Sequence, residues 1–128
     1  MPWLLKTEPS DYAFEDLLRE KKTVWSGVTN AAAVKNLASM KKGDRIVVYH
    51  TGSVRAAVGT ATVAAADARD PKSPRVTIAA GKRLAAPVPL DAAKASPLFA
   101  GSPLLRIGRL SVVPITEGQF RFLAGESA

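Results

Sequence analysis

Two short segments near the amino terminus carry residue types suited to handling a flat polar ring: Lys6-Thr7-Glu8-Pro9, which ends an apolar run, and Trp25-Ser26-Gly27-Val28-Thr29-Asn30. Tryptophan supplies a stacking face, asparagine places a donor and an acceptor on one amide, and glycine lets the backbone approach closely. An ammonium at Lys6 could meet a phosphate while the Thr7 hydroxyl contacts sugar or base. Each residue also has a structural alternative. Trp25 could fill a core, and Lys6 could pair with Glu8 on the surface. Asn30 could cap a helix, a task that would occupy its side-chain oxygen.

Further candidates follow from position. Tyr12 comes soon after the first segment and can supply a second aromatic wall. Tyr49 and His50 end the most strand-like run in the chain, so alternation sends them to opposite faces. A lone histidine more commonly serves as a structural hydrogen-bonder than as a catalytic base, which would need a partner. Arg109 and Ser111 share strand parity and are expected to approach one face. Trp3 and Phe14 are expected to support the cavity by packing. Cysteine is absent, so disulfides, thiol chemistry and cysteine-ligated zinc are excluded. With one histidine and no clustered carboxylates, neither a metal nor a cofactor is expected.

Composition narrows the partner. The chain has 128 residues, the usual size of one domain, so residues 1–128 are read as a single unit. A net charge of +7, spread over both halves of the chain, favours a polyanion once folding gathers the cations. The amino terminus lacks the pattern of a signal peptide and no apolar run is long enough to span a bilayer. A cytoplasmic protein without a membrane partner is therefore expected.

These candidates must be positioned by short elements. Trp3–Lys6 reads as a buried strand stopped at Glu8-Pro9. Phe14–Leu18 reads as a helix with acids in its first turn, and Ala31–Ser39 as a helix capped by Asn30. Asp44–His50 and Ala56–Val63 read as a hairpin with a bulge at Gly59. Arg75–Ala80 continues the strands, reaching as far as Leu84. Pro87-Val88-Pro89 argues against a central strand, and Asp91–Ala95 permits only a short helix. Arg109–Ile115 reads as the last strand. Thr116 and Gln119 then have capping-box spacing for a terminal helix. Hairpins with dispersed helices predict an α+β fold built as a small mixed barrel.

Six segments in order resemble the EVE domain family: Trp3–Pro9, Trp25–Asn30, Met40–Asp44, Tyr49–Thr51, Ala57–Gly59 and Gly108–Val112. This family is part of the PUA-like superfamily, to which the YTH modified-RNA readers also belong. The resemblance implies a β-barrel decorated by helices, with an aromatic-lined pocket for a modified or extruded base of DNA or RNA. It implies a binding module without catalytic residues. The base-binding set implied is Lys6, Thr7, Tyr12, Trp25, Val28, Asn30, Tyr49, His50, Arg109 and Ser111. Many relatives read Trp-Asp-Gly-Val-Arg-Asn-Tyr-Gln-Ala-Arg-Asn in the second motif. Ser26, Thr29, Ala31, Ala32 and Val34 stand at the varying places here, so an acid, an arginine and an aromatic are missing. A related branch, ASCH, includes amidohydrolases acting on modified nucleosides, and Lys6, Thr7 and Glu8 are the residue types such a site uses. A small-molecule receptor built on the same slot is a third alternative.

Overall fold

The structure is a computed structural model, described here for residues 2–125. Six strands form one sheet, in the spatial order β2 (Lys22–Val24), β5 (Arg75–Pro89), β4 (Ala56–Asp67), β3 (Arg45–His50), β1 (Trp3–Thr7) and β6 (Val112–Pro114). β1 (Trp3–Thr7) lies parallel to β3 (Arg45–His50) and antiparallel to β6 (Val112–Pro114). A parallel pair needs a crossover. Here it contains α1 (Phe14–Glu20), the short β2 (Lys22–Val24) and α2 (Ala31–Ala38).

Leu4, Leu5, Ile46, Val47, Val48, Val112 and Val113 in the adjacent strands β3, β1 and β6 are all buried, which is why these strands read as continuous apolar runs rather than alternating ones. Asn36 Nδ2 donates to the Val112 carbonyl at 2.8 Å and ties α2 to β6. Around the sheet stand α3 (Leu90–Ala95), a 3-10 turn at Pro97–Phe99, α4 (Pro103–Arg106) and α5 (Glu117–Leu123). α5 starts with the expected reciprocal cap. Gln119 N–H donates to Thr116 Oγ1 at 3.1 Å, and Thr116 N–H donates to Gln119 Oε1 at 2.9 Å.

The mixed α+β architecture agrees with the residue pattern. The barrel expected from it is not closed by pairing, since among the described residues β2 and β6 end the sheet without joining each other. β4 (Ala56–Asp67) and β5 (Arg75–Pro89) are longer than expected and break register at several places, which lets long strands bend. Gly59 is one such place. A Cβ there would stand 2.3 Å from the Phe14 ring, so only glycine lets β4 pass beneath that ring.

Pro87 and Pro89 lie in a strand, but as expected not in a central stretch of one. β5 pairs there with β4 alone, because β2 reaches only residues 77–79, and an edge tolerates proline. The last strand is shorter than expected. Arg109 sits in a turn before it, so parity with Ser111 does not apply. β2, the Pro97–Phe99 turn and α4 were not foreseen. No helix among the described residues is long and apolar enough to cross a membrane.

Candidate functional site

The end of β1, the turn that follows it and the segment leaving β2 enclose a cleft of about 470 Å³. Lys6 and Thr7 contribute from the strand. The turn is closed by the N–H groups of Asp11 and Tyr12, which both donate to the Glu8 carbonyl at 2.9 and 3.0 Å. Thr7 Oγ1 then donates to the Tyr12 carbonyl at 2.6 Å, so this hydroxyl holds the turn against the strand.

Across the cleft, Trp25 N–H donates to the Val76 carbonyl at 2.8 Å and extends the β2–β5 ladder by one residue. Its ring meets Tyr12 edge to face, with centroids 6.0 Å apart and planes at 87°. Edge-to-face geometry suits the quadrupoles of two rings and keeps both in place. Gly27 follows at φ 80°, a left-handed turn that most residues resist.

The two tryptophans have different tasks. Trp3 is core, and its Nε1 donates to Asp44 Oδ2 at 2.9 Å. Trp25 is also largely buried, at 8% exposure, but its indole N–H makes no hydrogen bond among the described residues. Since no fully enclosed side-chain polar atom among them lacks a partner, that N–H is reached from the cleft.

Tyr12 donates its hydroxyl to Glu20. Burial, then that carboxylate, pushes the phenol up to about 12, so it stays neutral and keeps donating. Lys6 is anchored by its backbone N–H to the Ser111 carbonyl at 2.9 Å, and by Nζ to the Gly108 carbonyl at 3.1 Å. Burial lowers its pKa. Three acidic residues, Glu8, Asp11 and Glu20, also line the cleft, with the Glu8 carboxylate accepting from Ser10 and Thr51.

Of the ten residues expected from sequence, Lys6, Thr7, Tyr12, Trp25, Val28 and Ser111 line this one cleft. Tyr49 lines a neighbouring hollow, which also touches Lys6. The other three stand elsewhere. Asn30 Oδ1 accepts from Ala33 N–H at 3.1 Å, which makes it the cap of α2. His50 is buried at 6% exposure, and its Nε2 accepts from Phe14 N–H at 3.0 Å. That bond leaves the ring proton on Nδ1, and burial lowers the imidazole pKa. Arg109 is exposed and lines neither hollow.

Sequence reasoning missed Asp11, Glu20, Thr23 and Val24. Asp11 stands in the turn beside Tyr12, whereas Thr23 and Val24 belong to β2, a three-residue strand that pairs with β5, and Glu20 ends α1 just before it. Among the described residues, no group of three or more His, Cys, Asp or Glu side chains could hold a metal ion.

The comparisons with known proteins agree with the geometry. A family model described as the EVE domain matches residues 2–126. The chain belongs to the EVE domain family. Among solved EVE-like structures, Rpa0253 from Rhodopseudomonas palustris is 32% identical to this EVE domain, with a TM-score of 0.86 over 97% of this chain and 90% of that one. Human THYN1, solved in complex with 5-methylcytosine-containing DNA, is 23% identical over 97% and 95%, with a TM-score of 0.77. The ZmASCH protein of Zymomonas mobilis shares the fold at 12% identity, with a TM-score of 0.60 over 99% of both chains. No protein with a curated description matches this EVE domain.

Proposed function

We propose that this EVE domain binds nucleic acid and seats one base, a modified one, in the cleft walled by Trp25 and Tyr12. The observation that carries the reading is that cleft itself, where two braced aromatic rings, an accessible indole donor and carboxylate acceptors surround a space of about 470 Å³. Pockets of a few hundred Å³ are the usual size for a small flat ligand. Family membership, the +7 charge and the DNA complex of human THYN1 support the same reading.

In this reading Trp25 supplies stacking, worth on the order of 1–3 kcal/mol per base. Glu8, Asp11 or Glu20 accepts from an exocyclic amino group, as acids do from cytosine N4. Lys6 serves a phosphate or sugar, and exposed cations such as Arg109 add salt-dependent affinity. A methyl group adds only about 0.8 kcal/mol by burial, so strong preference for a modified base needs a hydrogen bond or a clash as well. Extruding a base from a duplex costs a few kcal/mol, which makes single-stranded or distorted nucleic acid the easier ligand.

Titration of modified and unmodified single-stranded oligonucleotides, DNA and RNA, at two salt concentrations tests the proposal. Binding that weakens with salt and with Trp25→Phe is expected. Binding to none of them, or indifference to Trp25, contradicts it.

One observation favours a second reading, amidohydrolysis of a modified nucleoside: Lys6, Thr7 and Glu8 all line the cleft. Strand alternation still applies to Lys6 and Thr7, both within β1, and only Glu8 lies past its end. Against it, the Thr7 hydroxyl is engaged with the Tyr12 carbonyl and Lys6 Nζ with that of Gly108. Nucleoside release from an acylated cytidine, lost in Lys6→Ala, would reverse the order of the two.

A further inference from the structure

A second hollow, of about 390 Å³, shares only Lys6 with the Trp25 cleft. Tyr49 and the leucines at 90, 104 and 105 give it an apolar wall, and Lys6, Arg55 and Lys94 stand around it with the Thr51 hydroxyl. Among the described residues, no acid lines it. Two acids stand near: Glu8 Oε2 accepts from the Thr51 hydroxyl at 3.4 Å, and the charge of Asp91 on α3 reaches Tyr49 together with that of Arg55.

The three cations differ from most arginines of this protein. Arg19, Arg45, Arg69, Arg83 and Arg121 each meet a carboxylate. Lys6, Arg55 and Lys94 make no ion pair among the described residues. Two of them bond backbone carbonyls instead, Lys6 to Gly108 at 3.1 Å and Arg55 Nε to Gly52 at 3.2 Å. The terminal N–H groups of the Arg55 guanidinium have no partner among the described residues. Arg55 itself is held at φ 49°, a left-handed conformation uncommon for a residue with a side chain. Tyr49 is only 4% exposed, and its hydroxyl has no partner among the described residues. Because no fully enclosed side-chain polar atom among the described residues lacks one, that hydroxyl is not sealed in the core, and Tyr49 lines the hollow.

Three like charges gathered without an ion-paired acid repel one another unless an anion joins them. A guanidinium fork and two ammonium groups suit the oxygens of a phosphate, and an apolar wall suits the sugar attached to it. We propose that the Tyr49–Arg55–Lys94 hollow is a phosphate subsite, which grips the phosphodiester next to the base held by Trp25, with Lys6 between the two. This rests on the nucleic-acid reading for the identity of the strand. The anion chemistry stands on the hollow alone, and a free mononucleotide or inorganic phosphate would use the same groups.

The test is the double variant Arg55→Gln with Lys94→Gln, which leaves the Trp25 cleft untouched. Single-stranded DNA of mixed sequence is titrated by fluorescence anisotropy across a salt series, and a mononucleotide and inorganic phosphate are titrated by NMR. Loss of one phosphate contact should weaken DNA binding by about tenfold at low salt and flatten the slope of log K against log salt by about 0.7. Trp25→Phe should weaken binding without changing that slope.

Unchanged affinity and slope in the double variant would overturn the subsite while leaving the base cleft standing. If the unaltered protein binds no DNA, the nucleic-acid reading fails, and the small anions decide the subsite. Shifts at Tyr49, Thr51 and Arg55 that vanish in the double variant support it, and an absence of shifts overturns it. Saturation by a mononucleotide but not by short DNA would assign the hollow to a free nucleotide and contradict its place on a strand.

Discussion

Two pairs of residues separate site from scaffold. Trp25 opens on the cleft, whereas Trp3 spends its indole N–H on Asp44. Tyr49 opens on a hollow, whereas His50, one position later, accepts the first N–H of α1. The histidine makes a pH prediction. Its folded pKa lies below the ordinary 6.5 because burial penalises the cation, and protonating Nε2 would break the bond from Phe14. Above pH 6.5 both folded and unfolded forms are neutral there, so the residue adds no slope. Below that value the unfolded chain takes up a proton that the folded chain refuses, and stability falls. Denaturant melts between pH 7 and the carboxylate range should show this decline, and His50→Gln, whose amide oxygen can still accept, should remove it. Trp25→Phe keeps most of the packing and loses part of the stacking surface. Its cost in oligonucleotide affinity should be of the order of the 1–3 kcal/mol that one stacked base contributes, at most.

Elements explain what was legible beforehand. Capping signals were readable from neighbours alone, so α2 and α5 begin where Asn30 and Thr116 predict. The buried strands were readable because β-branched runs bounded by glycine and charge have few alternatives. The bulge at Gly59 was legible as a break in pattern, but its cause, the Phe14 ring, is a contact between distant elements. The cleft was partly legible for the same reason. Lys6, Thr7, Tyr12 and Trp25 lie in two motifs, while Glu20 and Thr23 arrive through the pairing of β2 with β5, which a three-residue strand does not announce. Asn30 shows how one residue can fit two patterns, since its amide suits a base edge and its oxygen suits a helix end. The geometry gives it to the helix. Asn30→Ala should therefore cost about 1 kcal/mol of stability, while the folded protein keeps its oligonucleotide affinity. Gly59→Ala forces a Cβ against the Phe14 ring and should destabilise by about 1–3 kcal/mol, measured by chemical denaturation.

At the scale of the whole molecule, charge and shape divide the work. The +7 charge attracts a polyanion from a distance and makes binding depend on salt, but it distinguishes no base. In the proposed reading the cleft adds selection, because a ring that stacks on Trp25 must also satisfy the acidic residues and the lysine around it. Several strand ends meet there, which lets a small domain hold side chains from distant parts of the chain in one place. The two tryptophans offer a direct measurement of whether a base enters. The protein has two indole N–H groups, one bonded to Asp44 and one accessible from the cleft, so an NMR titration with single-stranded oligonucleotide reads both at once. The account predicts that the Trp25 indole resonance shifts in proportion to occupancy while that of Trp3 stays still. Saturable binding that leaves the Trp25 indole unmoved would contradict it.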